Sequence, residues 1–81
     1  MITIRPTKML PIKELLKLKG EVIEVNMTNV SALGESRLMF LKELSEFNTL
    51  RLTHVDSNAI YRQFEEFGIS HDESVEQISL F

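Results

Sequence analysis

Cysteine is absent from the 81-residue chain, which excludes disulfides, thiolate metal sites and cysteine nucleophiles. Long apolar runs are absent too. None approaches the ~20 residues of a membrane span, and the amino terminus carries no signal-peptide core. The chain therefore reads as cytoplasmic, with no membrane span. Glycine is scarce: Gly20, Gly34 and Gly68 are the only three, too far apart to form a phosphate-cradling loop. The two histidines, His54 and His71, stand in neither a metal-ligand nor a triad-like spacing. Net positive charge is lacking as well, at −3 overall, which argues against nucleic-acid binding by the whole surface because phosphate neutralisation needs clustered cations. Repeats, low-complexity tracts and linkers are missing.

What remains is the composition of one small globular domain spanning residues 1–81, 43% hydrophobic and 26% charged. Charge is uneven along it. Residues 1–20 hold Arg5, Lys8, Lys13, Lys17 and Lys19 against Glu14, a net of +4, whereas residues 62–81 hold Arg62 against Glu65, Glu66, Asp72, Glu73 and Glu76, a net of −4. The basic first quarter reads as a solvated lysine face able to meet an acidic partner.

Hydrophobic periodicity places the elements. Residues 1–5 alternate up to Pro6, a strand with Ile2 and Ile4 inward. Pro11 opens and Gly20 stops a short amphipathic helix over 11–19, with Ile12, Leu15, Leu16 and Lys19 at helical spacing. Residues 21–28 form the clearest strand, with Ile23, Val25 and Met27 on one face and Glu24 and Asn26 on the other. Gly34 or Ser36 opens a helix to about Phe47, whose inward stripe is Phe40, Leu41, Leu44 and Phe47. Strand 49–55 turns Leu50 and Leu52 inward and Thr49, Arg51 and Thr53 outward. Asp56 or Ser57 caps a helix to Phe67 with Ile60, Phe64 and Phe67 on one face, and Gly68 ends it. The tail, 71–81, reads either as a short helix capped by Asp72 or as an extended end. Alternating strands and helices predict a largely parallel or mixed sheet. Because each strand has one apolar and one polar face, the helices belong on a single side: a two-layer α/β domain with an open sheet face.

Catalytic constellations are not evident. His54 is expected as a core-edge histidine at or near its strand end, and His71 as an exposed residue of a polar turn. Glu65 and Glu66 are adjacent on a helix and point to different faces, poor geometry for shared acid–base work. No enzymatic role, cofactor or metal is expected. The segment from Asn29 to Leu38 is more informative. It leaves the carboxyl end of a strand, where open α/β sheets place their sites, and Gly34, Glu35 and Ser36 stand at a helix start with its unpaired backbone amides. A phosphate on Ser36 would be favoured there by the helix dipole. On a helical wheel Met39 points away from the apolar stripe and lies among Lys42, Glu43 and Glu46, a side chain suited to packing against a partner.

Over residues 10–70 this order of elements, with Gly34-Glu35-Ser36 between a strand and a helix and Gly68-Ile69 after the last helix, resembles the STAS domain (sulfate-transporter and anti-sigma-factor-antagonist) and the smaller STAS-like proteins of bacteria. The resemblance implies a non-enzymatic regulatory module that binds an ATP-binding anti-sigma factor or kinase-like regulator through loop 31–37 and helix 36–47. The family signature at this loop is Asp-Ser-Ser/Thr-Gly-Leu, phosphorylated on the first hydroxyl. Gly34 aligns with the Asp, Glu35 with the phosphorylated serine, Ser36 with the next hydroxyl and Leu38 with the Leu, while Arg37 stands in place of the glycine. On that alignment Glu35 mimics a permanently phosphorylated state and Ser36 is the remaining candidate phosphosite.

Gln77-Ile78-Ser79-Leu80-Phe81 carries a second resemblance, to the pentapeptide by which bacterial replication and repair proteins bind the sliding clamp. There the glutamine hydrogen-bonds at one subsite and the Leu-Phe pair fills an apolar pocket. The alternative is that Ile78, Leu80 and Phe81 pack on the domain itself. Edge strands such as residues 1–5 are also able to pair between chains, which allows a homodimer.

Overall fold

A computed structural model describes residues 2–72. Three parallel strands, β1 (Ile2–Ile4), β2 (Val22–Asn26) and β3 (Thr49–Thr53), lie side by side in chain order. Helices α1 (Ile12–Leu15), α2 (Glu35–Phe47) and α3 (Asn58–Phe67) follow them in turn. Parallel strands laid down in sequence order put their crossovers on the same side of the sheet, given the right-handed connection that such units take in nearly every case. The register agrees: Ile2 and Leu50 flank Ile23, and Ile4 and Leu52 flank Val25. That layer faces the helices, and Ile23 and Val25 are completely buried. Thr3, Glu24 and Arg51 form the corresponding rung of the opposite face. The expected α/β architecture is present as a mixed fold on a three-stranded parallel sheet.

Helix α2 buries Leu38, Phe40, Leu41 and Leu44, and α3 contributes Ile60 and Phe64. Phe64 is the largest of the fully enclosed side chains. The ends of α3 follow from local chemistry. Ser57 Oγ accepts from the Ala59 amide at 3.2 Å, and Gly68 takes the left-handed conformation (φ 67°) that ends the helix. Of the two N-cap candidates, Ser57 is the one used.

Two sequence expectations are corrected here. The helix over 11–19 is one turn, Ile12–Leu15. Beyond it Lys17 and Leu18 donate to Glu14 and Leu15 three residues back, a tightened 3₁₀ pattern that ends short helices. The Leu18 carbonyl is then taken by Asn48 Nδ2 at 3.0 Å, and Ile12 is exposed rather than inward. Phe47 is 54% exposed, because at ~100° per residue it sits roughly 120° from Leu41, at the edge of the stripe. Lys19 Nζ covers its ring at 5.4 Å. Asp72, at the start of the tail, forms a parallel bridge to the outer side of β3: its amide donates to Leu50 O (2.7 Å) and its carbonyl accepts from Leu52 (3.2 Å), and the rest of the tail lies outside the described residues.

Gly68→Ala is expected to cost about 1 kcal/mol, because a Cβ in the left-handed region is strained. The expected drop in Tm is roughly 4–8 °C for a domain of this size, measurable by thermal denaturation monitored by circular dichroism.

Candidate functional site

The carboxyl ends of parallel strands coincide, so the loops after β2 and β3 meet at one end of the sheet. Asn29, Val30 and Ser31 from the first loop and Asp56 and Ser57 from the second line a shallow hollow there. Both exits turn sharply through a left-handed residue, Asn29 (φ 63°) and His54 (φ 57°). Asparagine and histidine are both among the non-glycine residues enriched in that region. His54 is thereby turned out to solvent, which corrects the core-edge placement. His71 is corrected in the opposite sense. It is half-buried, edge-on to Phe64 at 5.4 Å and tilted against Tyr61 at 5.8 Å.

Loop 27–34 is built from both sides. Asn26 Oδ1 accepts from the Thr28 amide (3.0 Å) and from Thr28 Oγ1 (2.6 Å), closing an Asx-type turn at the strand end. Thirty residues further on, Gln63 of α3 grips Leu33 with both ends of its amide. Its Oε1 accepts from the Leu33 amide and its Nε2 donates to the Leu33 carbonyl, each at 2.8 Å. That clamp fixes the chain one residue before Gly34, the N-cap of α2.

Helix α2 then starts on Gly34 as N-cap (φ −75°, ψ 162°), and no side chain caps it. Of the two candidates, Gly34 is used; Ser36 is the second helical residue and is exposed, as are Gly34 and Glu35. Arg37 reaches back so that Nη2 donates to the Lys8 carbonyl at 3.3 Å. Met39 is 60% exposed and lines a shallow depression with Lys42, Glu43 and Glu46, as its wheel position predicts. Residues spaced three and four apart share a helix face, so Glu35, Ser36, Met39, Lys42, Glu43 and Glu46 form one continuous solvent-facing stripe. The structure thus brings Gly34, Glu35, Ser36 and Met39 together at the first turn and a half of α2. Gln77, Ile78, Ser79, Leu80 and Phe81 lie outside the described residues.

Comparison with known proteins returns nothing. No family model, curated protein or solved structure matches the chain.

Sequence reading missed three polar residues. Gln63 and Asn48 resembled ordinary helix-surface and loop residues. Asn48 nevertheless joins three segments, accepting from the Glu21 amide (3.0 Å) and donating to Leu18 O (3.0 Å) and Leu44 O (3.1 Å). The third is Glu24, at the middle of the open sheet face. Thr53 Oγ1 donates to its Oε2 at 2.6 Å and Thr3 Oγ1 to its Oε1 at 3.0 Å. Those hydroxyls, Thr53 first and then Thr3, hold its carboxyl below the usual value. Partial burial opposes them, while the charges of His54 and Arg5 add to the lowering. The only available signal was alternation, which put Glu24 among outward threonines. Among the described residues, no group of three or more His, Cys, Asp or Glu side chains is placed to hold a metal ion, and no helix is long and apolar enough to cross a membrane.

Two outcomes are expected. Gln63→Ala leaves the Leu33 amide and carbonyl without partners and destabilises the domain by about 1–3 kcal/mol, with faster amide exchange confined first to loop 27–34. Glu24 contributes stability that is full above the ordinary carboxyl range, near 4.5, and is lost as the pH falls through the lowered folded-state value. Glu24→Gln should therefore lower Tm at pH 7, with the difference from wild type shrinking on acidification to about pH 3. A difference independent of pH would show that the carboxylate charge is not what the threonines stabilise.

Proposed function

We propose that this chain is a STAS-like, non-catalytic protein-interaction module that binds a regulatory protein through Gly34, Glu35, Ser36 and Met39 at the start of α2. The carrying observation is the stripe itself. It joins an uncapped helix start bearing an acid and a hydroxyl to a 60% exposed methionine one turn away, opposite the apolar stripe that anchors α2 in the core. Exposed methionine adapts to partner surfaces, and the charges around it supply orientation more than affinity. The support of Leu33 by Gln63 keeps this surface on a rigid element, which lowers the ordering cost of binding.

On this reading the partner is an ATP-binding anti-sigma factor or kinase-like regulator, Glu35 supplies constant negative charge where related loops are phosphorylated, and Ser36 is the candidate phosphosite. The module would act in the bacterial cytoplasm.

Affinity capture from bacterial lysate tests it, with bound proteins identified by mass spectrometry. An ATP-binding regulator should be retained by the full chain and by one lacking residues 77–81. Retention should drop at least tenfold for Met39→Asp, a change at an exposed position with little cost to folding. If the captured protein is instead a replication clamp, lost when Gln77–Phe81 is removed and indifferent to Met39→Asp, the stripe is not the functional surface.

A further inference from the structure

A second surface, separate from the α2 stripe, lies at the opposite side of the sheet from Asp72. β3 has its outer backbone groups engaged by Asp72, at 2.7 and 3.2 Å. β1 pairs with β2 on one side and, among the described residues, with no strand on the other. An unpaired parallel edge is a template for a further strand.

The edge is bordered by a hollow whose walls include Ile2, Ile4, Met9, Leu10 and Pro11. Met9 is 96% exposed and Ile12, just beyond it, 41%. Large apolar side chains so openly displayed next to an unpaired strand are unusual in a domain this small, which needs its apolar residues for its own core. The wall is held in place: Lys8 donates to Arg5 O at 2.9 Å, Ile12 donates to Leu10 O at 2.9 Å, and Arg37 grips the Lys8 carbonyl.

The rim decides what fits. Arg5 and Lys8 line the hollow and are exposed, within a first quarter of net charge +4 in a chain of net −3. Two copies meeting edge to edge about a two-fold axis would set these cations against each other, since an isologous contact juxtaposes the same patch. An acidic strand has the complementary charge. We infer that the free edge of β1 and its neighbouring hollow form a docking groove for an extended acidic peptide of a partner protein, added to the sheet as a strand. Its alternate apolar side chains enter the Ile2–Met9–Leu10 hollow and its carboxylates meet Arg5 and Lys8.

The test uses the full chain and a labelled ten-residue peptide of alternating glutamate and valine, read by fluorescence anisotropy, with amide shifts recorded by NMR. The peptide should bind, shift the amides of residues 2–10 and leave those of residues 35–39 in place. Binding should weaken about tenfold or more in the double variant Arg5→Glu/Lys8→Glu, and by a similar factor when salt is raised from low to high ionic strength. Met9→Ser, at a position with almost no contact to the core, should also weaken it while leaving the fold intact. N-methylation of alternate peptide amides should abolish binding, because strand addition needs those donors.

Several results would overturn the groove. They are absence of binding, equal binding of the lysine–valine counterpart, indifference to N-methylation, and shifts confined to residues 35–39. Self-association of the chain, measured by sedimentation and lost with Arg5→Glu/Lys8→Glu, would assign the edge to a second copy instead.

Discussion

Everything in this domain depends on covering one face of one strand. Ile23 and Val25 of β2 have no exposed surface, and their register neighbours Ile2, Ile4, Leu50 and Leu52 continue the same apolar layer. Among the described residues only α2 and α3 are long enough to roof that layer, since α1 is a single turn. The cost of opening the roof is correspondingly high: truncating a buried leucine or phenylalanine typically costs 2–5 kcal/mol, a large part of the total for a domain of this size. The helices therefore have one allowed placement, and the residues on their outer faces inherit it. Met39 is presented to solvent because Leu38, Leu41 and Leu44 are not.

Polar contacts then fix the segments that apolar packing leaves undetermined. The apolar layer sets the position of α2 but says little about the loop that leads into it, which Gln63 fixes by holding both backbone groups of Leu33. Asn48 does the same at the far end of α2, joining the approach to β2 with the start of β3. Single side chains bonded to backbone of distant segments are strong determinants of local conformation, because removing them strands partners that water cannot easily reach.

This division explains what was legible in the sequence. Alternation exposed the inward faces of β2 and β3 residue by residue, and 3.6-residue spacing exposed Ile60 and Phe64, because burial of a regular element imposes its own period. Ser57 and Gly68 were readable from capping chemistry alone. The outward setting of Met39 followed from the wheel. The extent of α1 was not readable, because Asn48 draws on the Leu18 carbonyl from thirty residues away, and neither was the position of His54, whose left-handed backbone at the end of β3 has no local signal. Phe47 was misplaced for a geometric reason: a stripe defined by spacing has edges, and the last residue of a helix lies where the roof ends. Gln63 had no signature because one glutamine on a helix resembles any other until its partner is known.

The two proposed surfaces meet at one residue. Arg37 belongs to the same helical turn as Glu35 and Ser36, and its guanidinium holds the Lys8 carbonyl beside the β1 edge. An exposed hydrogen bond of 3.3 Å contributes about 1 kcal/mol or less. A coupling free energy cannot exceed the differential interaction that carries it, so through Arg37 an occupant of one surface changes affinity at the other by about fivefold at most. A basic edge and an acid-and-methionine stripe on so small a chain are thus better suited to holding two partners side by side than to switching one with the other.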